Sequence, residues 1–459
     1  MNITVCIRRL ANGELNPFDA CAYEAALRIN DAEVTLLSMG PESVKDFLLG
    51  LTRLGAKRGI LLSDKAFAGA DTLATSYTLS LALKMLSPDL IFCGRQTVDG
   101  DTGQVGPELA EMLNVDLITN IMKLESRDGK VIYETRNGDS GSLPVPSLIT
   151  VERIHTLRLP SIRSKVGTVE VWNSETLSAD NKRCGLAGSP TRVMATFKNE
   201  QDRRKCKFIS PDQLQNTIEN ALNAPRIETP KSEGSPKLKN IWIIGESPRE
   251  MAESVSDSIT VVPLGSVDAL VDKIKAQDPE FILWGSDSES KKIAARVAAR
   301  LKTGLCADCT LLESDGDELY MYRPAFSGDI IAKIKCLTRP KMATVRTLSE
   351  NKDRITVGLG FGVKNCIDQA TSFAKKLGAS TVCSRKLVDH DFMPYEKQVG
   401  LTGKSLNPDV YIAIGISGAV HHIAGIKQSG TIIAVNPDKD ADIFKYSDYG
   451  IVSNAEDIF

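Results

Sequence analysis

Residues 398–422 read QVGLTGKSLNPDVYIAIGISGAVHH. Their centre, DVYIAIGI, is an apolar run of strand length. SGA then turns the chain with almost no side-chain bulk, and VHHIAGIKQSG (420–430) begins a helix. A strand, a glycine turn and a helix start leave backbone N–H groups without helical partners, which suits a phosphate or another electron-rich ligand edge. Two of the four histidines in the chain, His421 and His422, stand at that helix start. From this segment alone they are either donors to a ligand carbonyl or solvated, capping residues.

The same grammar runs through the rest of the sequence. ITVCI (3–7), EVTLLSM (33–39), RGILLS (58–63), LIFCG (90–94), IWIIGE (241–246), SITVVPL (258–264) and FILWGS (281–286) read as strands. Helical stretches such as ADTLATSYTLSLALKML (70–86) and SKKIAARVAARLKTG (290–304) alternate with them. Such alternation predicts an α/β protein with parallel sheets covered on both faces. DLIFCGRQTVDGDTGQVGPELAEML (89–113) and EFILWGSDSESKKIAARVAARL (280–301) share one strand–turn–helix style, as a duplicated or fused pair would.

At 459 residues the chain exceeds one core, so two to four domains are expected. Net charge is −2 with dispersed lysines and arginines, which provides no field for nucleic acid or a membrane surface. No run approaches the ~18 apolar residues of a membrane helix, and MNITVCIRRL reads as a first strand, not a signal peptide, so a cytoplasmic protein is expected. Ten cysteines are scattered through apolar segments, Cys6, Cys93 and Cys336 among them, without a disulfide framework. The single CxxC, Cys306 to Cys309, has no second ligand pair, and structural, redox and metal readings stay open. NAPRIETPKSEGSPKLKN (223–240) marks a flexible link, and LSENKDR (348–354) a second boundary.

Three further segments bear on chemistry. GLGFGV (358–363) is a second glycine-rich turn after a strand. In SRKLVDHDFMPYEKQVG (384–400), Arg385 and Asp389 lie four apart, so a simple helical ion pair is an open alternative to a ligand role. TGKSLNP (402–408) lacks the spacing of a phosphate-binding P-loop, which argues against a P-loop nucleotidase.

Taken together, Ser384 to Gly450 resembles the FAD-binding domain of the electron transfer flavoprotein α subunit, through SRKLVD, QVGLTGK, YIAIGISGAVHHIAG, IIAVNPD and SDYGIV. ARVAARLKTGLCADCT, RPAFSGDIIAKI and RPKMATVR are similar to the first domain of that subunit. Residues 1 to about 200 resemble the β subunit through LNPFDACAYEAALR, LLSMGPESV, SDKAFAGADTLATSYTL, CGRQTVDGDTGQVGPELAEML, RLPSIRSK and LAGSPTRV. The resemblance covers nearly the whole chain in the order β then α, as in a single-chain fusion. It implies a three-domain architecture: two similar parallel-sheet, nucleotide-hydrolase-like domains and a Rossmann-like, DHS-like FAD-binding domain. The expected boundaries are 1–205 for the β-like domain, 206–237 for a linker, 238–350 for α-like domain I and 351–459 for FAD-binding domain II.

The resemblance also implies roles. Ser384 and Arg385 approach the flavin, with the Arg385 charge over its ring. The loop Gln398, Val399, Gly400, Leu401, Thr402 and Gly403 lies against it, with Thr402 donating toward N5. Ser417, Gly418, Ala419 and Val420 turn near the pyrophosphate, beside His421, while His422 reaches the pyrimidine carbonyl edge. Asn436 and Asn454 serve the adenosine half. Positive charge and hydrogen bonds there favour a singly reduced, anionic flavin, as an electron shuttle needs. Four positions depart from the family pattern: Leu359 stands for the arginine of a GRG turn, Leu401 and His421 for glutamines, and Asn454 for an aspartate. The chain also stops at Phe459, short of the terminal helix of the family, and α-like domain I is shortened before IWIIGE.

For the β-like half the resemblance implies a second nucleotide. Its positions are Cys6, the run Asn16, Pro17, Phe18 and Asp19, then Met39 and Gly94. The loop continues through Gln96, Val98, Asp99, Gly100, Asp101, Thr102, Gly103, Gln104 and Val105. Single-flavin members hold AMP there. Gly100 and Gly103 leave room for a larger ligand, as in the two-flavin, electron-bifurcating members, so a second FAD is expected, with AMP as the alternative. Arg158, Leu159 and Arg163 are the expected partner-docking residues. The function implied is an electron carrier for an acyl-CoA dehydrogenase-type flavoprotein in fatty acid β-oxidation. Bifurcation from NADH to ferredoxin or flavodoxin extends that reading, and a redox-silent nucleotide-binding module is the alternative.

Overall fold

The computed structural model describes every residue except 128–129, 137, 153–154, 199–203, 224–235, 326–329, 347–353, 401–402, 405 and 428. The chain forms two compact units. The first comprises Met1–Thr196, Ser235–Phe326 and Ala332–Val345, and the second Phe197–Gly234, Ser327–Ile331 and Arg346–Phe459.

The first unit is organised by two parallel sheets. One contains β1 (Asn2–Cys6), β2 (Glu33–Met39), β3 (Arg58–Leu62), β4 (Leu90–Gly94), β5 (Asp116–Arg127), β6 (Lys130–Thr135), β7 (Ser140–Ser142), β8 (Ser147–Val151) and β9 (Thr168–Trp172). Their order is 7-6-5-8-4-1-2-3-9, parallel except where β6 pairs with β5 and β7. β10 (Thr191–Lys198) follows, and β11 (Lys207–Phe208) belongs to the second unit. The other parallel sheet takes β12 (Ile241–Ile244), β13 (Ile259–Val262), β14 (Phe281–Gly285) and β15 (Leu305–Cys309). After β16 (Leu311–Ser314), β17 (Leu319–Ala325) and β18 (Ile330–Cys336), which form a small sheet with β10, β19 (Lys341–Val345) completes it in the order 13-12-14-19-15.

Helices cover these sheets for local reasons. Asp71 accepts the Ala74 amide proton at the start of helix Thr72–Leu86, and Ser87 ends that helix in the left-handed region. Asp287 caps helix Ser288–Leu301 in the same way, and Lys302 closes it. That helix packs on helix Val105–Leu113, where Arg296 pairs with Glu111 at 2.8 Å. The β-like half and α-like domain I are thereby one compact body, although the sequence boundaries treat them apart.

The second unit is a doubly wound sheet. β20 (Ile355–Leu359), β21 (Ser380–Cys383), β22 (Val410–Ile414), β23 (Thr431–Val435) and β24 (Tyr449–Ile451) run parallel with β11, in the order 11-24-23-22-20-21. All of β22 is fully buried, which is why DVYIAIGI reads as an unbroken apolar run.

The expected linker over 206–237 is folded in its first half. Lys207 and Phe208 pair in register with Tyr449 and Gly450. Helix Leu214–Asn223 buries Leu214 and Ile218 in the core of the second unit. A spacing of four puts those two side chains on one face, so a polar segment still carries a core stripe. Residues 224–235 of that expected linker, and LSENKDR except Arg354, lie outside the described residues.

Candidate functional site

In open α/β sheets ligands bind beyond the carboxyl ends of the strands, where the strand order reverses. The first unit has such a point between β1 and β4, and there the structure holds a cavity of about 450 Å³. Cys6 and Gly94, at the two strand ends, line it with Asp19, Met39 and Gln96. Asp99, Gly100, Thr102, Gly103, Gln104 and Val105 line it too. The remaining expected residues of this half stand behind the wall. Asn16 is fully buried, donates Nδ2–H to the Gln96 carbonyl at 2.9 Å and accepts the Val98 amide proton at 3.3 Å, so it fastens the loop. Pro17 opens helix Pro17–Leu27, Phe18 packs under Arg95, and Asp101 accepts the Gln96 side-chain amide at 2.7 Å.

Glycine is required here for two different reasons. A Cβ on Gly94 would fall 2.4 Å from the Asp19 carboxylate, so this glycine lets β4 touch the first helix. Gly103 has φ +65°, a left-handed turn that a side chain resists. A Cβ on Gly100 would fall 3.1 Å from Thr97 Oγ1, a tight contact with a side-chain hydroxyl.

Two buried carboxyls flank the cavity. Burial pushes Asp19 up to about 7 against hydrogen bonds from Arg8, Asn16 and Gly94. Burial likewise pushes Glu108 up to about 8, against Ser76 and Thr72, which donate at 2.7 and 3.0 Å. The wall also includes Arg8, Asp71, Thr72, Leu305, Cys306 and Arg323, none of which sequence reading assigned to this site. The last three come from α-like domain I, and no local motif in the first 200 residues points to them. Of the CxxC pair, Cys306 lines the cavity while burial holds the Cys309 thiol protonated. Among the described residues no group of three His, Cys, Asp or Glu side chains is arranged to hold a metal.

The second unit reverses its strand order between β20 and β22. The turns that leave these strands touch backbone to backbone: a Cβ on Gly360 would lie 1.9 Å from the Gly415 carbonyl oxygen. Leu359 is fully buried in the core, so its side chain is not the one that leaves the turn. The first side chain beyond the strand is Phe361, whose ring centroid lies 5.0 Å from that of His390, with Lys386 over its face. Ser384 precedes helix Arg385–Asp389, and Arg385 forms the i, i+4 pair with Asp389 at 3.2 Å.

Gln398 and Val399 are buried, and Val399 donates its amide proton to the Cys383 carbonyl at 2.9 Å. Gly400, at φ +133°, lies where a Cβ would strike the His421 carbonyl at 2.5 Å, and the Gly403 amide bonds back to the Gly400 carbonyl. Leu401 and Thr402 lie outside the described residues. Ser417 and Ala419 are exposed and Val420 half-buried, while Gly418, at φ +93°, presses on the Ile443 backbone.

The two histidines part company. His421 is exposed, whereas His422 is buried with Nε2 2.9 Å from the Tyr411 hydroxyl. Burial lowers the His422 pKa to about 4, only partly opposed by the Val399 backbone, so the ring is neutral at pH 7. Its Nδ1 is buried without a hydrogen bond of full geometry among the described residues, although the Val399 backbone acts on the ring. Asn436 donates to the Ile416 carbonyl at 2.9 Å and accepts from Asp438, so its amide ties two turns together, and Asn454 is exposed.

In the docking loop, Leu159 is 89% exposed and Arg163 is exposed. Ile162, which the sequence reading did not single out, is 100% exposed. Arg158 instead grips buried Glu24 with Nε and Nη2, at 2.9 and 3.0 Å.

Doubly wound sheets with glycine turns at their switch points define a nucleotide-binding α/β protein. Residues 3–172 and 256–355 match the electron transfer flavoprotein domain, and 347–427 match the electron transfer flavoprotein FAD-binding domain. The electron transfer flavoprotein β subunit of Clostridium acetobutylicum is 35% identical over 231 residues, 44% of this chain and 89% of the relative. The α subunit of Thermoanaerobacterium thermosaccharolyticum is 36% identical over 236 residues, 41% of this chain and 72% of the relative. Protein FixA of Azorhizobium caulinodans is 38% identical over 215 residues, 42% of this chain and 76% of the relative. The chain belongs to the electron transfer flavoprotein family, with β-type and α-type sequences joined in one polypeptide. No helix among the described residues is long and apolar enough to cross a membrane.

Proposed function

We propose that this chain carries two FAD molecules, one in the second unit and one in the cavity of the first. It exchanges electrons with an acyl-CoA dehydrogenase-type flavoprotein, and NADH oxidised at the second flavin supplies a branch to ferredoxin or flavodoxin. The observation that carries the second flavin is the cavity of about 450 Å³, within the range of cofactor sites, with Gly100 and Gly103 in its wall. Leu37, Met39, Leu79, Leu305 and Ile334 line part of it, an apolar surface suited to a flat ring system. AMP is the smaller alternative occupant.

In the second unit, the Gly418 turn and the buried, neutral His422 ring support FAD binding, with Arg385 as the expected cation. Bound there, the flavin accepts and releases electrons. The protein residues orient it and present hydrogen-bond donors to its carbonyl edge. For docking, Leu159 and Ile162 are apolar side chains held out in water, as expected of anchors for a protein partner.

Absorbance and nucleotide extraction of the purified protein test this reading. Two FAD per chain are expected. One FAD with one AMP would replace the bifurcating reading by a simple carrier, and a colourless protein would overturn both. NADH titration of the two-flavin protein should bleach the flavin absorbance, and an unchanged spectrum would remove the NADH branch.

A further inference from the structure

We infer that Glu108 stays protonated in the fold and acts as a positioning residue for the first-unit cavity. Through Thr72 it sets the direction of hydrogen bonding on the wall, which then offers the ligand an acceptor for an N–H or O–H group. The ligand half of this inference rests on the nucleotide reading of that cavity, and the proton half does not. Thr72 and Gln104 line the cavity, with Glu108 behind them and 1% exposed. Thr72 Oγ1 lies 3.0 Å from Gln104 Oε1 and 3.0 Å from Glu108 Oε1. The Gln104 amide has no freedom to turn over, because its Nε2 donates to the Leu305 carbonyl at 3.1 Å. Its Oε1 therefore meets Thr72 as an acceptor. One hydroxyl proton cannot serve two acceptors, so both contacts are made only if Glu108 brings the second proton. The chain then runs one way: Glu108 donates to Thr72, Thr72 to Gln104, and Gln104 to Leu305. Fully buried Ser76 completes the other end by donating to Glu108 Oε2 at 2.7 Å. An ionised Glu108 would instead draw the Thr72 proton to itself and strand Gln104 Oε1 without a donor.

The charges around Glu108 favour the same state. Asp71, at the start of helix Thr72–Leu86, acts on it with like charge and so supports the protonated form. Further along that helix, Tyr77 accepts the Asp180 amide proton, and Lys84 is exposed in the last turn. Helix Ser288–Leu301 packs against the helix of Glu108, but its cations are engaged: Arg296 and Arg300 with Glu111, Lys291 with Asp308, Lys292 with Glu289. β8 has no titratable side chain, and β5 begins at Asp116, beyond the helix end at Leu113. The glycine-rich loop brings Asp99, paired with Arg8, and Asp101, bonded to Gln96. Burial pushes the Glu108 carboxyl up to about 8, in agreement with the proton count. Thr72 Oγ1, having given one proton and taken another, keeps one lone pair for the cavity. That lone pair suits a ribose or ribityl hydroxyl or a ring N–H, and opposes a carbonyl or phosphate oxygen. Ligand and proton are thereby coupled: the acceptor wall is present below about pH 8 and is lost as pH rises past it.

The test uses the full chain and reads the proton first. Infrared difference spectra, wild type minus Glu108→Gln, should show a carboxylic-acid carbonyl band at neutral pH that fades above about pH 8. A difference spectrum without that band overturns the inference. Affinities for adenosine, AMP and FAD are then followed from about pH 6 to about pH 9 with the cavity emptied, the FAD of the second unit serving as an internal control. Glutamine is the neutral isostere, whose Nε2 donates to Thr72 while its Oε1 accepts from Ser76. The ratio of wild-type to Glu108→Gln affinity should hold steady up to about pH 8 and fall by up to about tenfold for each pH unit above it. Asp19, at about 7, titrates in both proteins and cancels in the ratio. Thr72→Val keeps the carboxyl but removes the hydroxyl, so its ratio to wild type should show the same fall, and it decides the matter if Glu108→Gln does not fold. A ratio that stays constant across the range, or a folded Glu108→Gln that has lost the ligand at every pH, overturns the inference. Wild type that binds none of the three ligands overturns the nucleotide reading itself, and the infrared band still decides the proton.

Discussion

Gln104 donates its side-chain amide to the backbone carbonyl of Leu305, 3.1 Å away, and so ties the glycine-rich loop of the β-like half to β15 of α-like domain I. The two residues lie far apart in sequence, and this bond closes one wall of the cavity. Gln104 is 4% exposed, so removing it strands a buried carbonyl. Gln104→Ala should cost about 1–3 kcal/mol in urea denaturation and speed release of the nucleotide proposed for the cavity. Unchanged stability with retained nucleotide would mean that the tie is incidental.

Glu108 sets a pH dependence. In the unfolded chain its carboxyl titrates near 4.5, whereas burial holds it at about 8 in the fold. Between those values the folded state keeps a proton that the unfolded state releases, so stability falls as pH rises, by up to about 1.4 kcal/mol per pH unit. Asp19, pushed to about 7, acts with the same sign. Glu108→Gln should therefore flatten part of the decline, as read from melting temperatures at pH 5 through 8. An identical profile in the variant would show that this carboxyl is ionised throughout.

His422 acts in the opposite sense. Its ordinary value of 6.5 is lowered to about 4, so the unfolded chain takes up a proton first as pH falls, and stability is lost between those values. Tyr411→Phe removes the hydroxyl from Nε2 and should cost about 1 kcal/mol. His422→Ala should shift the reduction potential of the second-unit FAD, and exposed His421→Ala should leave it in place. The reverse order would place the other ring against the flavin.

The loop around Leu159 separates docking from folding. Leu159→Ala and Ile162→Ala should slow electron transfer to a cognate dehydrogenase severalfold, with flavin content and melting temperature unchanged. Wild-type rates would exclude both as anchors. Arg158→Ala should instead act on stability. Although burial alone would raise Glu24, hydrogen bonds from Arg158 and Arg28 hold it at about 2. That stabilisation is present above about pH 4.5 and is lost as pH falls toward 2. The variant should lose roughly 2 kcal/mol at neutral pH, allowing for the exposure of both arginines.

Much of this protein is legible one segment at a time. The strands ITVCI, LIFCG and DVYIAIGI, their glycine turns and the helices after them follow from apolar run length and turn chemistry, which act locally. The same holds for the glycines at 100 and 103, and for the order of β-type and α-type motifs. Other features depend on residues distant in the chain. Leu214 and Ile218 sit in a polar segment whose helix becomes clear only when its apolar face finds a core. Leu359 turns into the core while Phe361 stands beyond the strand, because strand pairing decides which side chain points inward. That Arg158 pairs with buried Glu24 is likewise visible only in space. Arg323 looks like an ordinary strand arginine until the fold buries it against Gly100. Propensity and periodicity describe neighbours along the chain, whereas charge compensation and cavity walls depend on neighbours in space, and only the tertiary structure brings those together.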